Sequence, residues 1–414
     1  GGFIGSESDL ARRLEALDDR LTVGGRLWLQ TTARVPDGVD DVDQVALDAP
    51  NLLDLFVDAR PNDRVRAYAQ ARLQHDWTVS SGASDPFTGA ALSPDRVLLD
   101  QLWTKFDVGH RVYVTAGKQR IRWGAGRFWN PTDFMNQQRL DPLAILDVRT
   151  GVDLLKVHVP VESANANVYA LANLTDAADL SHVGGAVRAE WSTGQTEVTA
   201  SAAARADQPV LLGADLSSGV GPFDLRAEAA VQHGANGPFY EGTLDLASFQ
   251  LPTEVDRSEE WLLQLVVGAE WSLRLSADDS ISFGVEWFHN ELGYGDADLY
   301  PWLFANSAYL PLYIGRDYAA GYVFLAGPGR WDDHTFVGSG LVNVSDGSAV
   351  ARLDWRGQVL TWLQPTVYGQ LHFGENGEFH YAIDIPAAPI PGLEDGLKVP
   401  APLFDLGVGA IVEF

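Results

Sequence analysis

A repeated alternation of apolar and polar residues constrains this chain more than any other feature. Within residues 223–232 the odd-numbered positions are Phe, Leu, Ala, Ala and Val, and the even-numbered ones include Asp, Arg, Glu and Gln. Successive side chains of an extended strand point to opposite faces, so each such segment has one apolar and one charged side. The same alternation is present in residues 26–35, 64–74, 261–271, 281–287, 349–356, 362–373 and 404–414.

The spacing of these segments predicts eighteen strands, each roughly ten residues long, with connections that are alternately short and long. Two of them, 209–217 and 319–326, alternate weakly, so sixteen strands is the alternative. The long connections are 36–50, 80–96, 123–149, 234–259, 291–318 and 375–401.

A set of strands this numerous, each with a fully apolar side, indicates an all-β transmembrane barrel. No run approaches the roughly 18 apolar residues that a membrane helix requires. An unpaired backbone group in hydrocarbon costs several kcal/mol, so strands that face lipid must close on themselves. We therefore predict a single antiparallel up-and-down barrel over residues 21–414. A ring of 16–18 strands leaves a water-filled lumen.

Composition removes several other classes of protein. Lys and Arg total 29 against 56 Asp and Glu, a net charge of −27 that argues against nucleic acid as a partner. The chain has no Cys, so disulfides and thiolate metal sites are excluded, and we predict no cofactor. The opening residues lack the basic start and apolar core of a signal peptide, so we expect a mature or trimmed form.

Residues 1–20 form a separate N-terminal extension before the predicted barrel. Leu10, Leu14, Leu17 and Leu21 recur at helical spacing behind Ser6 and Ser8, which predicts a short periplasmic helix. A remnant of a longer coiled segment and a small plug are the alternatives.

The end of the chain carries the clearest resemblance to a known class. The last strand, LFDLGVGAIVEF, alternates and ends on Phe414. It resembles the terminal strand of Gram-negative outer-membrane barrel proteins, which finishes in Phe or Trp for recognition by the assembly machinery. The segment GKQRIRWGAGRFWNPTDFMN at 117–136 is similar to a strand-and-loop segment of several porin-like families. The resemblance implies a bacterial outer-membrane location and a porin-like fold, and trimers are common among such barrels.

Charged residues on the polar sides of the strands are the predicted lining of the lumen. The first six strands carry a basic set, and later strands mix acids with bases. Opposed walls of this kind would orient polar solutes, although mutual pairing for solvation is the plainer interpretation. The predicted lining residues are Arg26, Arg34, Arg64, Arg66, Arg72, Lys105, Arg111, Lys156, Arg188, Arg226, Glu228, Glu270, Glu286, Arg352, Asp354 and Arg356.

The connection at 123–149 is a candidate constriction loop. Gly124, Gly126 and Pro131 allow a sharp turn off the strand end. The predicted constriction residues are Arg127, Trp129, Asp133 and Arg139, with Arg127 and Asp133 lining an eyelet. A loop packed over the outer rim is the alternative.

Two further groups of residues contain the residue types of metal or catalytic sites. Asp37, Asp40, Asp41, Asp43 and Asp48 form an acidic loop that suits either calcium or plain solvation, and no metal site is predicted from it. The adjacent pairs His75–Asp76 and Asp333–His334 point to opposite faces of a strand, so neither is a catalytic dyad and no enzyme activity is expected.

We therefore expect a porin-like channel for passive diffusion of small polar solutes, anions included because of the basic wall. Membrane lipid and lipopolysaccharide are the expected surroundings. A structural or docking barrel with an occluded lumen, bound to an envelope protein partner, is the alternative. A homo-trimer is what the resemblance implies.

Overall fold

The computed structural model describes most of the chain as one closed wall of strands. The described residues are 20–80, 82–83, 91–136, 138–144, 147–235, 237–244, 250–276, 279–385 and 397–414. The predicted helix at 6–21 lies outside them apart from its last two positions, Arg20 and Leu21, and Leu21 begins the first strand.

Eighteen long strands form the wall, as the alternation predicted. The first nine are β1 Leu21–Pro36, β2 Pro50–Asn62, β3 Val65–Asp76, β4 Asp95–Val108, β5 Val112–Gln119, β6 Val152–Val161, β7 Ala166–Asn173, β8 Gly184–Thr193 and β9 Thr196–Ala204. The last nine are β10 Val210–Val220, β11 Phe223–His233, β12 Trp261–Arg274, β13 Ser280–Asn290, β14 Asp317–Ala326, β15 His334–Asn343, β16 Ser348–Gly357, β17 Leu363–Phe373 and β18 Pro402–Glu413.

Each strand pairs antiparallel with its neighbours in sequence, and the first strand closes the ring. β1 pairs with β2 on one side and with β18 on the other, where Arg26 lies opposite Glu413. Both weakly alternating segments belong to the wall, because β10 and β14 each pair along their length with two neighbours. The alternative of sixteen strands is therefore wrong.

The connections differ in length between the two ends of the barrel, as predicted. The six long connections lie at one end, together with the shorter ones at 174–183, 205–209 and 344–347. Some long connections contain structure of their own. These elements are the strand Ala46–Asp48, which pairs with β1, the hairpin of Phe239–Glu241 with Thr253–Val255, the hairpin of Ile383–Ile385 with Leu397–Val399, and the short helix α1, Tyr300–Ala305.

The two faces of the strands have the separation that the sequence pattern indicated. In β11, Glu228, Ala230 and Gln232 are buried on the inner face, whereas Leu225 is 39% exposed on the outer one. Large apolar side chains are exposed on the outer faces of many other strands, for example Val285, Leu353 and Val408. No helix among the described residues is long and apolar enough to cross a membrane.

One local irregularity lies elsewhere than the alternation suggested. The alternation slips at Lys118, Arg120 and Arg122, which predicts a bulge there, but β5 ends at Gln119 and the chain leaves the wall. A register shift in the middle of the wall is instead in the pairing of β3 with β4, where Gln70 faces Gln101 and Ala71 faces Leu99. Asp100 is the extra residue, and its fully buried side chain binds Arg120 at 2.7 Å.

The two faces of β10 provide a test of this arrangement. Arg at the lipid face of a barrel costs about 2–4 kcal/mol near the bilayer centre, so Leu216→Arg, on the outer face, should lower the free energy of unfolding by that amount. Ser217→Arg, one residue along the same strand and opposite Glu197, should change it by less than about 1 kcal/mol. Denaturant titration of the protein in lipid bilayers measures both. Equal losses would contradict the assignment of faces.

Candidate functional site: a loop inside the barrel

The connection between β5 and β6 enters the barrel and binds the far wall. Its backbone meets β11 and β13, and β13 is eight strands on from β5 in a ring of 18. Strands that far apart lie on nearly opposite sides of the lumen. Residues 120–151 are called the lumen loop below.

A buried carboxylate of β11 binds the first part of the lumen loop. Glu228, 1% exposed, accepts hydrogen bonds from the amides of Ala125 (2.9 Å), Gly126 (3.1 Å) and Thr132 (2.7 Å). The Thr132 hydroxyl donates a fourth bond at 2.8 Å. Hydrogen bonds to an ionised acceptor are about twice as strong as neutral ones, so this single side chain fixes a whole turn of the loop.

A second carboxylate, on β13, binds the next three residues of the loop. Glu286 accepts bonds from the amides of Arg127 (2.7 Å), Phe128 (2.9 Å) and Trp129 (2.9 Å). Three successive amides that converge on one anion form a concave anion-binding turn. Here the anion is a side chain of the barrel wall, so the turn serves to attach the loop.

Aromatic packing adds to these two attachments. The fully buried Trp129 ring lies 5.4 Å from both Phe288 and Tyr318 between ring centroids. Its indole nitrogen donates to the Leu312 carbonyl at 2.9 Å. Phe128 packs in the same cluster. The loop therefore has a small hydrophobic core of its own against β13 and β14.

Glycine is required at the point where the loop meets Glu228. Gly124 has φ +94, and a Cβ atom there would lie 2.5 Å from the Glu228 carboxylate. A Cβ on Gly126 would lie 2.0 Å from the Trp129 carbonyl oxygen. Gly124 thus allows the backbone to approach the wall closely, and Gly126 allows the loop to fold tightly on itself.

The last part of the lumen loop, which leads back to β6, binds the near side of the wall at β3. Arg72 of β3 donates to the Val148 carbonyl at 2.6 Å and makes two bonds to Asp54, at 2.7 and 2.8 Å. Arg149 joins Asp133 at 3.0 Å to Asp147 at 2.8 Å, both within the loop. The loop is therefore held at both sides of the lumen.

The four predicted constriction residues have different positions. Trp129 and Asp133 are buried within the loop, and Asp133 binds Arg149 and the Trp123 amide. Arg127 is exposed and lies over the Tyr322 ring at 3.9 Å, and Arg139 lies over Tyr313 at 5.0 Å. Arg127 and Asp133 thus face different partners, and the eyelet expected between them is not formed by this pair.

The inner face of the first six strands, predicted to be basic, contains more carboxylates than the sequence pattern suggested. Arg66 binds Asp58 with two bonds, at 2.8 and 3.0 Å, and Arg64 binds Asp107 at 3.2 Å. Arg72 is paired with Asp54, as described above. The sequence pattern did not indicate Asp54 and Asp58 as lining residues, because they lie among the apolar residues of β2. The wall is therefore largely compensated.

The later strands also carry paired charges. Arg188 contacts Glu190 at 2.9 Å and Asp215 at 3.1 Å. Arg226 contacts Glu270 at 2.7 Å, and Tyr322 also donates to Glu270. Arg352 contacts Asp354 at 2.8 Å and lies 3.6 Å from the Tyr368 ring.

The remaining predicted lining residues have individual positions. Arg26 pairs with Glu413 and Arg34 with Asp48, each at 2.8 Å. Arg356 lines a cavity beside Arg127 and Phe128, and Arg111 lies in the turn before β5. Lys105 lies over the Tyr113 ring at 5.5 Å, and Lys156 lines a cavity beside Arg122.

The sequence did not predict a polar cluster that joins three connections at the end of the barrel where the long connections lie. Glu378 accepts bonds from the Leu312 amide, the Tyr318 hydroxyl (2.7 Å) and the Asn343 amide group (3.0 Å). Asp346 accepts bonds from the Tyr300 hydroxyl and the Glu378 amide, each at 2.8 Å. Nothing in the sequence links these residues, because they come from three separate connections and from the ends of β14 and β15.

Neither minor site candidate gains support. Among the described residues, no three His, Cys, Asp or Glu side chains are placed to hold a metal ion together. In the acidic loop, Asp48 pairs with Arg34 and Asp41 accepts a bond from the Asp43 amide. The His75 ring contacts Asp95 at 2.8 Å, on the neighbouring strand.

Comparison with known proteins places the fold. No protein-family model and no curated protein matches this chain. Among solved structures, the OprB of Pseudomonas putida is 11% identical with a TM-score of 0.52, over 98% of this chain and 97% of that one. A triple mutant of the Rhodopseudomonas blastica porin is 12% identical with a TM-score of 0.45, over 95% and 100%. The similarity to OprB extends over the whole barrel and defines a porin-like fold.

The carboxylates that hold the lumen loop can be tested directly. The double substitution Glu228→Gln with Glu286→Gln keeps side-chain size but removes both anionic acceptors. A hydrogen bond to a charged group contributes about 1.5–3 kcal/mol, so we expect the loop to leave the wall and become several-fold more sensitive to protease. The control is Glu413→Gln, a carboxylate bound to Arg26 rather than to the loop. Equal cleavage of wild type and double variant would contradict the attachment.

The Glu378 cluster predicts a pH dependence. Burial, followed by the charge of Asp346, raises the pKa of Glu378 to about 7 from its ordinary 4.5. A carboxyl whose pKa is higher in the folded protein stabilises the fold fully below its unfolded pKa, and this stability is lost as the pH rises through 7. The Tm should therefore fall between pH 5 and pH 8, and less so in Glu378→Gln. Glu375→Gln, an exposed acid of the same connection, should keep the wild-type slope. An identical slope in Glu378→Gln would refute this.

Proposed function

We propose that the chain is a channel of the bacterial outer membrane, through which small polar solutes diffuse passively. A closed ring of eighteen strands is wide enough for an aqueous lumen, and its outer face is apolar. Membrane lipid and lipopolysaccharide surround it in this proposal, and trimers would be its assembly.

The observation that carries the proposal is the placement of the lumen loop. A loop attached to opposite walls by Glu228, Glu286 and Arg72 narrows the passage without filling it. Cavities remain beside it, one of about 720 Å3 next to β1–β3 and one of about 380 Å3 next to β14–β17. Apolar and polar side chains line both cavities, and the charged ones, for example Arg26 and Asp54 in one and Asp354 and Arg356 in the other, suit the passage of polar solutes.

Anionic solutes are the favoured subclass of that proposal. Most charges inside the barrel are paired, but the excess that remains on the first six strands is cationic. A local excess of one sign inside a lumen raises the concentration of the opposite ion there. We therefore propose a moderate preference for anions.

The same loop also leaves a second function open to test. A docking barrel, with a partner closing the lumen, is favoured by the hydrophobic core that the loop forms against the wall, since this core occupies part of the lumen. Such a barrel would co-purify with an envelope protein in fixed stoichiometry and would conduct no ions when alone.

Planar-bilayer recording distinguishes these two functions. The purified protein should give discrete single-channel steps. In a potassium chloride gradient, the sign of the reversal potential should show that chloride is more permeant than potassium. The Glu228→Gln/Glu286→Gln variant should give larger and noisier steps, because its loop no longer stays against the wall. Folded protein that gives no steps would sink the channel proposal and favour the docking barrel.

A further inference from the structure

Two lysines of the inner wall are placed around a single residue. Lys105 of β4 and Lys156 of β6 both lie opposite Thr115 of β5 in the strand register, so all three share one face. Neighbouring strands are about 4.8 Å apart, which puts the two lysine backbones about 10 Å apart. Their flexible side chains can reach one small molecule between them.

These lysines differ from the arginines near them. Arg64, Arg66 and Arg72 each have a carboxylate partner within 3.2 Å. Across the part of the chain that the structure describes, neither Lys105 nor Lys156 forms an ion pair. Lys156 is half-buried, and a half-buried ammonium group without a counter-charge is costly to remove from water. The pair is therefore suited to bind an anion.

A third cation faces Lys156 from the lumen loop. Arg122 and Lys156 line one cavity of about 160 Å3, together with Trp123 and Tyr169. The guanidinium of Arg122 donates to the Gly126 carbonyl at 3.1 Å and to the Asn130 side-chain oxygen at 3.2 Å. Both acceptors are neutral, so they orient the guanidinium without cancelling its charge.

The other residues that line this cavity are neutral, and one of them, Tyr169, connects it to groups that are neutral or already paired. The rings of Tyr113, His158 and Tyr169 stack in a row, with centroids 5.7 and 4.5 Å apart. The Tyr169 hydroxyl donates to Glu190 at 3.0 Å, and that carboxylate is held by Arg188 at 2.9 Å. The acid that contacts the cavity lining is thus compensated by its own arginine.

We propose that Lys105, Lys156 and Arg122 form a binding site for a small oxyanion, a carboxylate or a phosphate, within the passage. An arginine presents a planar pair of donors that matches an oxyanion, and lysines add compact point charges. The cavity of about 160 Å3, which Arg122 and Lys156 line, holds only a small anion or the anionic end of a larger one. Lys105 is not part of its lining and would reach the anion from the other side of Thr115. The site rests on the proposed channel and names what that channel selects.

The test measures binding and conduction in the same proteins. Calorimetry on the detergent-solubilised full chain with sodium succinate and with sodium phosphate measures binding without any current. Bilayer recording then measures how far each salt reduces the chloride current. The variant Lys105→Met/Lys156→Met should bind at least about tenfold more weakly, because each lost charged bond costs about a factor of ten. Its conductance steps should persist.

The control removes two cations from other parts of the inner wall. Arg26→Met/Arg356→Met changes the net charge equally but leaves the three proposed ligands in place, so it should bind like wild type. Binding of succinate alone identifies carboxylates as the ligand class, and binding of both salts identifies oxyanions in general. Equal loss in the two double variants, or no binding by wild type that conducts normally, would overturn the site. Absence of conductance with intact binding would instead reject the channel.

Discussion

The pairing of β1 with β18 is the contact on which the rest of the molecule depends. Backbone groups of an unpaired edge in hydrocarbon cost several kcal/mol each, so a wall of strands is stable in lipid only when it is closed. Here the closure extends from Arg26 opposite Glu413 to Pro36 opposite Pro402. The amide of Gly25 donates to the Phe414 carbonyl at 2.8 Å, so the last residue of the chain takes part in the seam.

Closure creates an interior in which charged side chains need partners. The wall meets this need mainly by itself, with Arg66 on Asp58 and Arg226 on Glu270 as examples. Glu228 and Glu286 use backbone amides of the lumen loop instead of cations. Buried charges must form bonds, and this requirement has two consequences. Ion pairs within the wall compensate most of the charge in the lumen, and the bonds of Glu228 and Glu286 hold the loop that narrows it. Lys105 and Lys156 form no ion pair among the described residues, and from them we infer a ligand.

Much of the fold was predictable from local pattern. Alternation of period two assigns each strand residue to a face, and β11 follows that assignment at Leu225 and Glu228. The eighteen strands and the lengths of their connections also followed, because each is a property of contiguous sequence. The bulge at Asp100 was not predictable, because an extra residue in one strand is apparent only when the pairing with its neighbour is known. The site was predicted as a set of charges, but the partners of those charges were not.

The sequence by itself determined which side of each strand meets lipid, because that choice depends on the period of the residues alone. Only the tertiary structure decided which residues meet across the lumen. Glu228 is separated from Gly126 by 102 positions and Glu286 from Phe128 by 158, and no local pattern encodes such contacts. They form because ring closure brings distant strands to one enclosed space, where a buried carboxylate must find donors from whatever chain enters.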